Sequence, residues 1–324
     1  MSRDSATLVA DLAKAHIAAR CLHVVADFGV ADALGAAVSS AAALAQRTGL
    51  NADALERILR LLAAHGVFEQ RSGGYAHNDA SRRLCSDHPQ SLRLYVRMTG
   101  MPGFWDRFTE LHHAAATGAP AVDWTRMLER FAAHPEEGAI FNAAMTAKSR
   151  RAVRALAYAY DWRPFRTIAD VGGGRGHLLA AVLERAPEAH GILFELPQVV
   201  RDAAPAPRLQ IVAGDFFADP LPAADVYLLM DLLHDWSDAD AARILASVRR
   251  AAPAHARLLI IETLVPEAPG PHFGKTLDVI MLAVTGGRER TPTQHETLLA
   301  ASGFRLERIL ATDSEYSMLD AVAV

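Results

Sequence analysis

Cysteine is scarce. Cys21 and Cys85 are the only two in 324 residues, so at most one bridge can form, and the disulfide framework of a small secreted domain is excluded. No run approaches the roughly 18 uninterrupted apolar residues that a membrane-spanning helix needs, and Met1 to Asp11 lack the basic-then-apolar build of a secretory leader. An excess of positive charge is missing too. Lys and Arg number 33 against 37 Asp and Glu, a formal net charge of −4, which offers no global field to nucleic acid or anionic lipid. Internal repeats and low-complexity linkers are also wanting, and a reducing, cytoplasmic setting is the expectation. What remains is ordinary globular material, 51% hydrophobic and 22% charged. That composition is far from the signature of disorder, and the length suits about two domains.

The first hundred residues carry apolar positions three and four apart. They predict a helix from about Leu8 to Leu34, broken near Gly29, with Leu12, Ile17, Leu22, Val25 and Leu34 as core candidates. Ser40 is placed to cap a short helix that Gly49 ends, and Asn51 to cap another with Leu55, Ile58, Leu59 and Leu62 on one stripe. Val67 to Gln70, the Ser72-Gly73-Gly74 turn and Tyr75 to His77 predict a hairpin. Helix, turn, helix and hairpin make a winged-helix pattern, which raises DNA binding. Residues 1–100 hold 11 Lys and Arg against 9 Asp and Glu, and Arg57 and Arg60 are offset by Asp53 and Glu56, so no concentrated basic face for phosphates exists. Self-association suits the alanine-rich helices better. Residues 101–155 read as connecting helices, from which Trp105 and Met145 are candidate linings of an apolar substrate pocket at an interdomain seam.

From Phe165 strands alternate with helices. Strands are expected at Thr167–Val171, Gly191–Glu195, Leu209–Val212, Ala224–Met230 and Ala256–Glu262, with helices at His177–Arg185 and Ala239–Arg250. This is an α/β class, Rossmann-like fold with a mostly parallel sheet. Asp170-Val171-Gly172-Gly173-Gly174-Arg175-Gly176 closes the first strand and enters a helix, where backbone without side chains lets a ligand approach the helix N-terminus. A dinucleotide fingerprint would need glycine at position 177, which is His177. The spacing found, with Gly172, Gly174 and Gly176 alternating, suits a compact nucleoside instead. Glu195 ends the second strand, where a carboxylate can accept from both ribose hydroxyls. Asp215 could hold an adenine amino group, with Phe216 against the ring face.

These residues carry a family resemblance over nearly the whole chain. With Phe194-Glu195-Leu196-Pro197, Gly214-Asp215-Phe216-Phe217, Leu233-His234-Asp235-Trp236-Ser237-Asp238, Glu262 and Gly286-Gly287-Arg288-Glu289-Arg290-Thr291, the chain resembles the S-adenosylmethionine-dependent small-molecule O-methyltransferases of the plant caffeate and flavonoid type, which have many bacterial members. The resemblance implies a winged-helix-like dimerisation domain (1–100), connecting helices contributing to the substrate pocket (101–155) and a cofactor-binding catalytic domain (156–324). It also implies a homodimer, S-adenosylmethionine as methyl donor with S-adenosylhomocysteine as product, no metal, and no nucleic-acid or membrane partner.

It further implies that His234 is the general base for a substrate hydroxyl, flanked by Glu262 and Glu289. An imidazole with a pKa near 6.5 can take a phenol proton as the oxygen gains nucleophilicity, and a carboxylate on its other nitrogen fixes the tautomer. For Glu289, between Arg288 and Arg290, a solvated ion pair is the alternative. Cofactor contacts are implied for Asp170, Gly172, Gly174, Gly176, Glu195, Leu196, Asp215, Phe216 and Met230, and substrate contacts for Asp235 and for Met281, which with Asp278 matches positions near the family's substrate pocket. Asp235 could equally cap the following helix; Trp236 and Ser237 suit packing and capping, with Trp236 able to cover the adenine. Met230 departs from the plant pattern, which usually has lysine there. The expected reaction is O-methylation of a phenolic or related aromatic metabolite. The alternatives are transfer to nitrogen or carbon, divergence to decarboxylation or hydroxylation, and a non-catalytic winged-helix regulator.

Overall fold

The structure is a computed structural model that describes residues 4–122, 124–200, 206–254 and 256–324; Met1, Ser2 and Arg3 of the N-terminal stretch lie outside the described residues. The chain divides into two compact units, residues 1–106 with 129–147, and residues 107–128 with 148–324.

The first unit is helical. It contains α1 (Ser5–Asp27), α2 (Val30–Leu34), α3 (Ala41–Thr48), α4 (Ala52–Ala64), the hairpin of β1 (Glu69–Arg71) and β2 (Gly74–Ala76), α5 (Asp79–Arg82), α6 (Arg93–Gly100) and the start of α7 (Pro102–Thr109). Local chemistry sets its boundaries. Gly29 at φ +64° separates α1 from α2, the Ser40 and Asn51 side chains accept from the third amide of α3 and α4, and Gly49 ends α3 in the left-handed region. Val25, Leu34, Leu44, Leu55, Leu59, Leu62, Phe68 and Tyr75 form the core. Leu12 and Ile17, expected inside, are instead 67% and 47% exposed, because the core packs on the far end of α1, where His23, Val25 and Ala26 are buried. On α4, Arg57 is taken up by Asp53 at 2.7 Å.

The remaining helices before the sheet are α8 (Leu111–Thr117), α9 (Trp124–Ala133) and α10 (Pro135–Ala159). The second unit then runs β3 (Thr167–Val171), α11 (His177–Arg185), β4 (His190–Glu195), α12 (Pro197–Val200), β5 (Leu209–Ala213), β6 (Val226–Met230), a 3-10 turn (Leu233–Asp235), α13 (Asp238–Ala251), β7 (Arg257–Glu262), α14 (Phe273–Val284), α15 (Pro292–Ala301), β8 (Phe304–Ala311) and β9 (Ser317–Ala323). The sheet order is β5-β4-β3-β6-β7-β9-β8. Strands β3 to β7 are parallel, while β9 is antiparallel to β7 and β8. The sheet is therefore Rossmann-like and mostly parallel, with two antiparallel strands that the sequence reading did not anticipate. The outer strand β8 is largely exposed, which erases a strong alternation.

Both faces are covered, as a parallel sheet requires. On β7, Leu258 and Ile260 meet Ile244, Leu245 and Val248 of α13, while Leu259 and Ile261 share the opposite core with Leu156, Leu179 and Val182. The chain leaves β3 towards β4 and β5 on one side and returns to β6 and β7 on the other, so strand order reverses between β3 and β6. In such sheets ligands bind outside the carboxyl ends of the strands at this reversal. No helix among the described residues is long and apolar enough to cross a membrane.

Candidate active site

The carboxyl end of β3 is the first half of the site. Gly172, Gly174 and Gly176 adopt φ of +69°, +58° and +76°, a region that side chains with a Cβ rarely enter. This explains the alternating glycines. A Cβ on Gly173 would lie 2.4 Å from Oδ2 of Asp170, whereas the space at Gly174 is open. Asp170 is 1% exposed, and neither carboxylate oxygen has a hydrogen-bond partner. Burial, helped by the nearby Glu195 charge, pushes its pKa up to about 7. Glu195 turns back over the loop, accepting from the amides of Leu196 at 2.8 Å and Gly174 at 3.4 Å.

At the end of β5, Asp215 accepts from the Phe217 amide at 2.8 Å. Phe216, Phe217 and Trp236 form an edge-on cluster, with Phe217 and Trp236 centroids 4.8 Å apart. Trp236 is thus a packing residue, and Ser237, not Asp235, caps α13 by accepting from the Asp240 amide. Met230 ends β6, half-buried beside the inner core. An orphaned buried carboxylate, an open glycine loop and a second carboxylate one strand away are the donor set that a cationic nucleoside ligand requires.

The second half is built around His234, whose side chain is 8% exposed. Its Nδ1 lies 2.7 Å from Oε1 of the fully buried Glu289. Its backbone amide donates to Oε1 of Glu262 at 2.9 Å. Oδ1 of Asp231 is 4.0 Å from Nδ1, and Oδ1 of Asp235 is 3.8 Å from Nε2. Nδ1 is committed to Glu289, which leaves Nε2, beside the half-buried Asp235, as the ring nitrogen not engaged by Glu289.

The geometry distinguishes the two flanking glutamates. Glu289 is no solvated ion-pair partner, since Arg288 and Arg290 both go to Asp238, at 2.8 and 2.9 Å. Glu262 does not sit on the imidazole, because β7 ends behind the backbone of the turn; its Oε2 instead lies 3.4 Å from Nε2 of His295 on α15. The proton affinity expected of His234 changes as well. Burial opposes its charge, but Asp235, the Glu289 bond and Asp231 outweigh burial and push its pKa up to about 10.

The loop after α14 and the 3-10 turn form one block. The Arg288 amide donates to the His234 carbonyl at 2.8 Å, and buried Arg290 donates to the carbonyls of Leu233 and Trp236 at 2.9 and 3.0 Å. Asp278 on α14 accepts from the Glu289 amide at 3.0 Å, and Met281, one turn on, is 9% exposed. Trp105 and Met145 belong to the first unit. Trp105 lies under the Arg20 guanidinium, 4.6 Å from the ring centroid, and edge-on to His23; Met145 is half-buried on α10.

Sequence reasoning missed Asp231, Lys148, Tyr316 and His295. Asp231 had a signal, an acidic residue closing an apolar strand at the sheet's ligand-binding edge. Lys148 and Tyr316 had none, standing 83 and 85 residues from the Asp231 they bind.

Comparison with known proteins settles the family. Residues 107–305 match the O-methyltransferase domain family and residues 10–87 the O-methyltransferase dimerisation domain family. The chain belongs to the S-adenosylmethionine-dependent O-methyltransferase family. It is 40% identical to the phenazine O-methyltransferase PhzM of Lysobacter antibioticus, over 93% of this chain and 91% of that one. Its fold is similar to that of CalO1, a methyltransferase of calicheamicin biosynthesis solved with S-adenosylhomocysteine, at a TM-score of 0.86 and 36% identity, with all of both chains covered. It is also similar to NcsB1, an O-methyltransferase of neocarzinostatin biosynthesis solved with S-adenosylmethionine and 2-hydroxy-5-methyl naphthoic acid, at a TM-score of 0.79 and 30% identity, covering 94% of this chain and 96% of that one. Aclacinomycin 10-hydroxylase RdmB of Streptomyces purpurascens is 35% identical over 94% of this chain and 87% of its own length, so the family scaffold alone does not specify the chemistry. The methyltransferase uses S-adenosylmethionine, and the buried, unpartnered Asp170 fits the ammonium of that cofactor.

Proposed function

We propose that this methyltransferase transfers a methyl group to the hydroxyl oxygen of a phenolic or related aromatic metabolite, with His234 as general base. The observation that carries the reading is the 2.7 Å contact between Nδ1 of His234 and buried Glu289, which fixes the ring and directs Nε2 to the ligand side. When bound, the cofactor supplies an electrophilic methyl carbon on a positively charged sulfonium. Asp170, the Gly172, Gly174 and Gly176 loop, Glu195, Leu196, Asp215, Phe216 and Met230 hold its nucleoside and amino-acid ends.

His234 takes the hydroxyl proton at Nε2, Glu289 stabilises the imidazolium that results, and Asp235 orients the hydroxyl. The carboxylates around the ring raise its proton affinity, which brings the imidazole towards a phenol and eases the transfer. It must first shed its own proton, and a second positive charge entering nearby favours that release. Met281 packs on the aromatic ring.

The exposed apolar side chains Leu8, Val9, Leu12 and Ile17 of α1, within or beside the dimerisation match, support a homodimer. Residues 1–100 act as the dimerisation domain, 101–155 as connecting helices contributing to the pocket, and 156–324 as the catalytic domain. Free Cys21 and Cys85 are in keeping with a cytoplasmic location. The test is incubation with methyl-labelled S-adenosylmethionine and a panel of phenols, aromatic amines and carbon nucleophiles. Label on phenol oxygen is expected; label only on nitrogen or carbon, or hydroxylation without transfer, overturns the reading.

A further inference from the structure

One buried cluster beside the base has no part in the mechanism so far. Asp231 sits between β6 and the 3-10 turn with φ +48°, a left-handed conformation that aspartate tolerates better than most residues. Its Oδ2 accepts from Nζ of Lys148 on α10 at 2.9 Å and from the Tyr316 hydroxyl, just before β9, at 2.5 Å. The Lys148 ammonium also lies 5.2 Å from the Tyr316 ring centroid. Oδ1 is buried, has no hydrogen-bond partner, and lies 4.0 Å from Nδ1 of His234. One oxygen is therefore tied down by two side chains while the other faces the back of the imidazole.

We propose that Asp231 is a positioning residue for His234, and that the Lys148–Asp231–Tyr316 cluster sets the proton affinity of the base from the side opposite the ligand. This rests on the reading of His234 as the base. The charged and titratable groups around the ring are Asp231 and Asp235 from its own segment, Glu289 after α14, Glu262 at the end of β7 with His295 and Arg290 behind it, and Lys148 and Tyr316 around Asp231. Asp231 and Lys148 form a compensated pair. Burial opposes the ionisation of Asp231, but Lys148 and His234 hold its carboxyl below the ordinary range. Burial likewise opposes the charge on Lys148, and Asp231 more than restores it.

Removing one member leaves the other uncompensated. Loss of the carboxylate leaves a cation behind the imidazole and favours its neutral form; loss of the ammonium leaves a bare anion and favours its charged form. A role limited to holding the turn in place predicts no such opposition. Tyr316, neutral and bonded to the same oxygen as Lys148, dampens the Asp231 charge without reversing it.

The experiment is a pH titration of the full chain labelled with 13C at histidine Cε1, with S-adenosylhomocysteine added, the His234 resonance being identified by its loss in His234→Ala. In Asp231→Asn the His234 midpoint falls by about one pH unit; in Lys148→Met it rises; in Lys148→Arg it stays within about 0.3 unit of the parent. Midpoints that move in the same direction in Asp231→Asn and Lys148→Met, or that do not move, overturn the proposal. Should Asp231→Asn not fold, the rise in Lys148→Met and its absence in Lys148→Arg decide the matter alone. The titration reads protonation and not methyl transfer, so it is independent of the turnover of His234→Ala, which tests the base assignment itself.

Discussion

A Cβ placed on Gly287 would lie 2.0 Å from the carbonyl oxygen of His234. That atom is backbone and cannot swing aside, so the loop carrying Glu289 and the turn carrying the base approach as closely as they do only because residue 287 has no side chain. Gly287→Ala is expected to push the two apart and lower turnover by about a hundredfold, the scale of a misplacement near 1 Å. Cofactor affinity should change little, since Gly287 is not among the proposed cofactor contacts. Turnover assays with calorimetric titration of S-adenosylhomocysteine check both halves; normal turnover would show that the block tolerates the shift.

His234→Ala should reduce turnover by about a hundredfold or more, again with cofactor affinity nearly intact. Glu289 and Glu262 should then separate. Glu289→Gln removes the charge on the imidazole and is expected to cost most of that rate, whereas Glu262→Gln keeps an acceptor for the His234 amide and should retain most of it. Equal losses in the two variants would contradict the division of labour drawn from the 2.7 and 2.9 Å contacts.

Asp170, its pKa pushed up to about 7 by burial and by Glu195, is expected to make cofactor binding depend on pH. Below that value the carboxyl keeps its proton and has no charge to offer an ammonium; above it the charge is present. Affinity for S-adenosylhomocysteine should rise between pH 6 and pH 8, by at most about tenfold per unit, and Asp170→Asn should bind more weakly with that rise gone. Titrations at three pH values suffice, and a flat parent profile would count against the contact.

His295 is fully buried, and burial together with Arg290 pulls its pKa down to about 3. The unfolded chain takes up this proton below about 6.5, while the folded chain does not until about 3. The stability contributed by the neutral ring is therefore full above pH 6.5 and is lost as the pH falls through this window. His295→Phe has no such proton to bind and should lose less stability between pH 7.5 and pH 5. Urea midpoints at the two pH values measure it; equal losses in parent and variant would remove His295 as an acid-sensitive group.

Much of this could be read from residue order because the relevant signals are local. The alternating glycines at 172, 174 and 176 correspond to three left-handed residues in a row of five, and Ser40, Gly49 and Asn51 do the capping that their side chains suggest. The proximity of His234 and Glu289 came from the family resemblance, since a sequence separation of 55 carries no local trace of it. What could not be read is long-range and electrostatic. Neither the shift of the imidazole to about 10 nor the Lys148 and Tyr316 bonds to Asp231 follow from any spacing. Leu12 and Ile17 have helical periodicity, but periodicity does not say which chain will cover them.

Strand β9 follows β8 in the chain yet lies inside it, between β7 and β8. Within the sheet β8 pairs with β9 alone, so it has nothing to pair with until the ribosome has supplied β9, and Tyr316, at the entrance to β9, reaches Asp231 only then. Residues of the β9 region, Met318 and Leu319 among them, also complete the two cores that cover β3 and β4. The last strand to be made is thus the one that joins β8 to the rest of the sheet and brings Tyr316 to the residue behind the base.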